Sequence, residues 1–195
     1  MIEEIRKEAL KEGVPIIKDE GLAFLLNFIV QHDLKQILEL GTAVAYSAIA
    51  MAKISGDIQI DTIEKRPEMY NQAVINIQKE GLEKQIRAHF LAIEDFVPDR
   101  CYDLVFVDAA KAQYGAYLER FLPYLKDDGY MLFDNMVFHG LVYEIDGIKS
   151  RSLRSLVRKI RNFSEKVHND DRFDIMDFDQ IGDGILVLSR RKSGF

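Results

Sequence analysis

Apolar residues recur at helical spacing at Ile2, Ile5, Ala9 and Leu10, and Gly13-Val14-Pro15 then ends that helix, because proline cannot continue it and biases Val14 away from it. A second helix fits Asp19–Gln31, where Leu22, Leu25, Leu26, Phe28 and Ile29 form a broad apolar face. Beyond this point short apolar runs alternate with amphipathic stretches. Strands are predicted at 36–40, 58–64, 86–91, 102–108 and 130–134, and helices at 47–54, 67–79 and 114–125. Pro67 sits in the first turn of its helix, and Asp127-Asp128-Gly129 reads as the turn that closes the helix before it. A long helix over about 150–167 precedes two strands, near 173–178 and 184–188, joined by a short Asp/Gly turn.

Strands alternating with helices imply right-handed βαβ units, hence an α/β fold with a parallel sheet covered by helices on both faces. The last two strands form a hairpin, so one strand runs antiparallel to the rest. A single domain over 1–195 is expected, with residues 1–33 as helices packed on its core. Open sheets of this kind bind ligands beyond the carboxyl ends of their strands. The positions to interrogate are therefore Gly41, Glu64, Leu91, Asp108 and Asp134.

Composition narrows the classes. With 48% hydrophobic and 30% charged residues, the chain is a folded protein rather than a disordered one. Its one cysteine, Cys101, excludes an intramolecular disulfide framework and a cysteine-ligated zinc site. No apolar run approaches the ~18–20 residues that span a bilayer. The acidic start Met1-Ile2-Glu3-Glu4 does not resemble a signal peptide, so a cytoplasmic protein with no membrane partner is expected.

The strand ends carry the chemistry. Leu40-Gly41-Thr42 is a strand, a glycine turn and a helix start, where backbone N–H groups can approach a ligand closely, although such turns are common in folds of this kind. Glu64 ends the next strand and can accept from two ribose hydroxyls, as an adenosyl cofactor requires; a solvated charge beside Lys65 and Arg66 is the plainer alternative. Asp108, Asp134 and Asn135 end two buried strands with no histidine or cysteine nearby. Three oxygen donors of this type suit a hard cation such as Mg²⁺ or Ca²⁺; helix capping by Asp134 and Asn135 is the alternative.

The strings ELGTAVAYSA, TIEK, FVDAAK and FDNMVFHG, in this order and spacing, resemble the metal-dependent O-methyltransferases related to catechol and caffeoyl-CoA O-methyltransferase. The likeness runs from Val14-Pro15-Ile16 to Gly182-Asp183-Gly184, and within the family it is nearest to the bacterial tRNA 5-hydroxyuridine methyltransferases. It implies a Rossmann-like class I methyltransferase fold, a seven-stranded sheet with one antiparallel strand, and a homodimer in which the apolar N-terminal helices supply an interface. It also implies that S-adenosyl-L-methionine is bound by Ile16, Glu39, Gly41, Ser47, Glu64, Ala92 and Asp108, that Mg²⁺ is held by Asp108, Asp134 and Asn135, and that Lys111 is the base near the acceptor hydroxyl. Two positions depart from the family pattern: Ala45 replaces a second glycine, and Leu91-Ala92 replaces Gly-Asp after the third strand. A methyl at Ala45 is expected either to crowd the cofactor or to tighten the turn, and the loss of the carboxylate to weaken the adenine contact.

The metal alone does not choose the acceptor, because a catechol and 5-hydroxyuracil both offer two neighbouring oxygens. The helix near 150–167 helps to choose. Lys149, Arg151, Arg154, Arg158, Lys159, Arg161 and Lys166 stand against the single acid Glu165, a net of +6 in a chain whose total is −6. Arg151, Arg154, Arg158 and Arg161 are therefore candidate contacts to tRNA phosphates. Phe138 and Tyr143 are candidates to stack an unpaired base or to pack in the core. The acids Asp170, Asp171, Asp174, Asp177 and Asp179 provide an alternative in which they neutralise this helix. A small-phenol methyltransferase, and an RNA-binding module with a weakened cofactor site, are the competing functions.

Overall fold

The computed structural model describes residues 2–191, so Met1 and residues 192–195 lie outside it. The strands are β1 (Gln36–Leu40), β2 (Gln59–Glu64), β3 (Ile86–Phe90), β4 (Tyr102–Val107), β5 (Leu125–Phe133), β6 (Phe173–Phe178) and β7 (Ile185–Arg190). The α-helices are α1 (Ile2–Lys11), α2 (Asp19–Gln31), α3 (Tyr46–Ala52), α4 (Pro67–Lys79), α5 (Tyr114–Phe121) and α6 (Arg151–His168). All seven strands join one sheet in the order β3-β2-β1-β4-β5-β7-β6. The first five are parallel, and β7 runs antiparallel to both β5 and β6.

Alternation along each strand divides the sheet's side chains between two cores. Ile37, Leu104, Phe106, Leu132 and Val187 meet α1, α2, α3 and α4 on one face. Leu38, Leu40, Val105, Val107, Met131, Phe133, Leu186 and Leu188 meet α5 and α6 on the other. Each such side chain, fully buried, stabilises the fold by ~1.5–3 kcal/mol relative to exposure, and the central segments 104–107 and 131–133, covered on both faces, read as apolar runs. The chain leaves β1 toward one face and β4 toward the other, and the crevice between them opens at the carboxyl ends.

One predicted boundary moves. The stretch Asp127-Asp128-Gly129 does not close a helix. Pro123 lies in a single 3₁₀ turn, Leu122–Tyr124, after α5 has ended at Phe121, and β5 begins at Leu125. Tyr102 pairs with Leu125 but Leu104 pairs with Tyr130, so the extra residues bulge out of the ladder. Asp103 anchors the bulge, accepting from Lys126 Nζ at 2.6 Å and from the Lys35 and Gln36 amides at 3.0 and 2.7 Å. At the start of α6, Ser150 Oγ accepts from Leu153 N at 3.4 Å and caps the helix.

Candidate active site

Strand register brings the predicted residues together. Leu40 lies opposite both Ile63 and Val107, and Val107 lies opposite Phe133. The residues that follow, Gly41, Glu64, Asp108 and Asp134, therefore emerge side by side on one edge. The ladder continues one step past the strands: Gly41 N donates to Ile63 O, Asp108 N to Leu40 O and Asp134 N to Val107 O, at 3.1–3.2 Å.

Gly41 is required here twice over. Its φ is +106°, and a Cβ on it would stand 2.4 Å from Asp108 O. This close approach lets the turn and the β4 end share one cleft of about 300 Å³. Ile16, Gly41, Ser47, Glu64, Asp108, Lys111 and Asn135 all line it. Three of the predicted residues do not. Glu39 lies buried behind the wall, Asp134 is 4% exposed beside it, and Ala92 is flanked by the lining residues Leu91 and Ile93.

Alternation puts Glu39 on the same face as Ile37, beneath the start of α3. Ser47 Oγ donates to its Oε1 and Thr62 Oγ1 to its Oε2, both at 2.5 Å. Burial dominates over these two bonds and raises the Glu39 carboxyl to about 7. Glu64 is fixed by backbone instead: Oε2 accepts from Ala43 N at 3.0 Å, and Oε1 accepts from Lys65 N and Arg66 N at 3.0 and 2.9 Å. Those three amides tie the end of β2 to the glycine turn and aim the carboxylate into the cleft.

At the other end Asn135 Nδ2 donates to Asp108 Oδ1 at 3.3 Å, and Asn135 N donates to Asp134 Oδ1 at 2.8 Å. Burial raises the carboxyls of both acids, and the charge of Asp108 adds to the effect at Asp134, which stands at about 7. Lys111 acts in the opposite direction on both. Two apposed, desolvated carboxyls with a neutral amide beside them form a donor set that fits a hard divalent cation, whose charge would favour their ionised forms. Among the described residues no group of three His, Cys, Asp or Glu side chains is placed to hold a metal, so a cation here would need the amide of Asn135 as its third donor. Lys111 Nζ lies 6.0 Å from the centroid of the Phe138 ring, at the rim of the same cleft.

Sequence reasoning missed Tyr46, Ile93, Glu94 and Tyr117, all of which line the cleft. Position relative to strand ends could have found Ile93 and Glu94, which sit in the turn just after β3. Glu94 lies at the end where the family's carboxylate is missing, and it contributes, after burial, to raising Tyr117 to about 12. Of the two expectations for Ala45, the geometry fits the one in which its methyl tightens the turn. It adopts the left-handed conformation (φ 64°) at the start of α3, and its methyl is fully buried in the α1–α4 core rather than in the cleft.

The basic helix α6 packs on the 3₁₀ turn that begins at Lys111. Arg151, Arg154, Ser155, Arg158, Lys159 and Asn162 line a shallow concavity on its outer face. Two of the four candidate arginines are otherwise engaged: Arg154 donates through Nε (2.9 Å) and Nη2 to Ile148 O, and Arg161 Nε donates to Glu165 Oε1 at 2.9 Å. Arg154 thus braces the loop before the helix. The acid-rich stretch does not neutralise the concavity. Asp170 pairs with Arg172, Asp171 and Asp174 with Arg191, and Asp177 with His168. Tyr143 is 65% exposed, with its hydroxyl bonded to Asp179, whereas Phe138 packs into both clusters around α6.

Comparison with known proteins agrees with this geometry. A model of the O-methyltransferase family matches residues 1–192. Caffeoyl-CoA O-methyltransferase of Populus kitakamiensis is 29% identical over 205 residues, covering 97% of this chain and 86% of that one. The solved structure of a candidate caffeoyl-CoA O-methyltransferase from Staphylococcus aureus superimposes with a TM-score of 0.93 at 33% identity, over 97% of this chain and 92% of that one. An O-methyltransferase from Bacillus cereus, solved with S-adenosylhomocysteine, shares the fold at a TM-score of 0.81 and 23% identity, over 97% and 90% of the two chains. The sheet order, the Rossmann-like methyltransferase architecture and the matched family model lead to one conclusion: this chain belongs to the O-methyltransferase family.

Proposed function

We propose that the protein is an S-adenosylmethionine- and divalent-cation-dependent O-methyltransferase whose acceptor is 5-hydroxyuridine at the wobble position of tRNA. When bound, S-adenosylmethionine supplies an electrophilic methyl group, and the cation, held by Asp108, Asp134 and Asn135, supplies Lewis-acid polarisation of the acceptor oxygen. The remaining work is alignment and proton removal, since displacement at the methyl carbon is in line. Glu64 presents a carboxylate, already fixed by three amides, to the ribose hydroxyls. Ser47, held by Glu39, borders the methionine end, and Ile16 and Leu91 are apolar walls that exclude water. Lys111, which lines the cleft near Asp108, is the candidate to receive the acceptor's proton, a role that requires it to act as the neutral amine.

The single observation that carries the RNA reading is the concavity on α6. Arg151, Arg158 and Lys159 are exposed there and, among the described residues, have no carboxylate partner, while the neighbouring acids pair elsewhere. An uncompensated cationic strip on the helix that packs against the Lys111 turn suits a polyanionic acceptor, because phosphate contacts dominate RNA affinity. The second reading, a small phenolic acceptor, is favoured by the names of the relatives and by a cleft sized for a small molecule. Purified protein with S-adenosylmethionine, Mg²⁺ and tRNA bearing unmethylated 5-hydroxyuridine is expected to yield 5-methoxyuridine. Turnover of catechols or caffeoyl-CoA with none on tRNA would establish the second reading instead.

A further inference from the structure

Three backbone amides that follow the Asp134-Asn135 pair end on two residues from a distant part of the chain. Met136 N donates to Gly184 O at 2.9 Å, Val137 N to Asp183 O at 2.9 Å, and His139 N to Asp183 Oδ1 at 2.7 Å. The approach is so close that a Cβ on Gly184 would stand 2.4 Å from Val137 Cγ2 and 2.6 Å from Val137 N. The loop needs such a template. Asn135, Phe138 and His139 all have positive φ, at 63°, 47° and 57°, a region that Asn and His tolerate but in which a bulky residue such as Phe138 is an outlier.

Asp183 itself is 6% exposed, and its Oδ2 is buried without a hydrogen-bond partner among the described residues. The hairpin between β6 and β7 does not need that side chain to close. Ile181 N bonds to Phe178 O and Gly184 N to Ile181 O, which complete the turn through backbone alone. What the carboxylate does instead is reach outward. Beyond His139 N, it faces Lys18 Nζ at 3.5 Å, and Lys18 Nζ also donates to Gly182 O at 3.4 Å. Lys18 directly follows Ile16 and Ile17, which line the cofactor cleft.

We propose that Asp183 is a positioning residue: by holding the 136–139 loop it sets the direction in which Asp134 and Asn135 present their oxygens beside Asp108, and through Lys18 it ties that arrangement to the N-terminal segment bordering the cleft. This rests on the reading of Asp108, Asp134 and Asn135 as the cation site. A hydrogen-bond acceptor, rather than a charge, is the property that the loop uses, so an amide of the same shape is expected to substitute for it.

The test is Mn²⁺ affinity, measured by electron paramagnetic resonance or calorimetry on the full chain, beside melting temperature and hydrogen exchange of the 136, 137 and 139 amides. Wild type is expected to bind one Mn²⁺, and D134A is expected to lose it. D183A is expected to bind Mn²⁺ ~10–100-fold more weakly, as outer partners of metal ligands generally do when removed, with faster exchange of the three amides. D183N, which keeps an oxygen for His139 N, is expected to restore most of the affinity and protection. If D183A does not fold, G184A carries the same test, since it displaces the loop at Val137 while leaving the carboxylate in place. Folded D183A or G184A with wild-type affinity overturns the proposal, as does D183N binding as weakly as D183A. Absence of Mn²⁺ binding in wild type, or its survival in D134A, overturns the cation-site reading and the proposal with it.

Discussion

Replacing Glu39 with glutamine separates what this carboxylate offers the cofactor from what it costs the fold. Glu39 is 0% exposed, and burial raises its carboxyl from 4.5 to about 7. An acid whose folded-state pKa lies above its unfolded value binds more protons in the native state. Its contribution to stability is therefore greatest below about pH 4.5 and is lost as the pH rises through about 7. At 1.36 kcal/mol per unit, that loss amounts to about 3 kcal/mol at pH 8. Glutamine carries no charge to desolvate; its NH2 can donate to whichever of the Ser47 and Thr62 hydroxyls faces it, while the other still donates to its oxygen. Glu39→Gln is thus expected to match wild type at pH 4.5 and to exceed it at pH 8 by up to about 3 kcal/mol, roughly 6–12 °C in melting temperature for a chain of this size. Calorimetry of the free protein at both pH values, with chelator and without cofactor, reads this difference directly. The same variant is expected to bind S-adenosylhomocysteine more weakly, because the carboxylate that holds Ser47 at the cleft wall is replaced by an amide. A stability difference between the two proteins that does not change from pH 4.5 to 8 would refute the reasoning.

Other perturbations follow from the same geometry. Gly41→Ala forces a Cβ to within 2.4 Å of Asp108 O at a φ of +106°, so a loss of about 2–4 kcal/mol and of cofactor binding is expected; an unchanged thermal melt counts against it. Asp134→Ala is expected to abolish turnover while circular dichroism and melting remain close to wild type, and full activity in that variant or in excess chelator would sink the metal mechanism. Arg151→Glu and Arg158→Glu are expected to weaken tRNA binding, each losing ~0.7 from the slope of log affinity against log salt if it contacts one phosphate of an unpaired strand. Arg154→Glu is expected instead to lower the melting temperature, because that guanidinium braces the Ile148 carbonyl.

Much of this site was legible because its positions are dictated by local rules. Val105, Phe106 and Val107 are buried on both faces, so β4 reads as an apolar run, and an acid directly after it must emerge at the sheet edge. Asp134 follows the apolar end of β5 in the same way, whereas Glu64 closes a strand in which apolar and polar residues alternate. Glu39 was placed by family likeness, and the alternation of β1 explains why it lies behind the wall rather than in it. The features that were not legible depend on contacts between distant segments. The start of β5 was hidden by Asp127-Asp128-Gly129, a string with turn chemistry that the Asp103–Lys126 pair accommodates as a bulge. The role of Arg154 depends on a loop six residues away, and Tyr117 reaches the cleft only because α5 folds back over β4. Asp183 meets the 136–139 loop across 44 residues of chain, a contact that no periodicity announces.

The central claim is that this cleft and the cationic face of α6 together methylate an oxygen on tRNA. Mass spectrometry of tRNA nucleosides from cells with and without the protein tests it most directly. With the protein, 5-methoxyuridine is expected; without it, or with Asp134→Ala in its place, 5-hydroxyuridine is expected to accumulate instead. Identical nucleoside profiles in the presence and absence of the protein would contradict the claim.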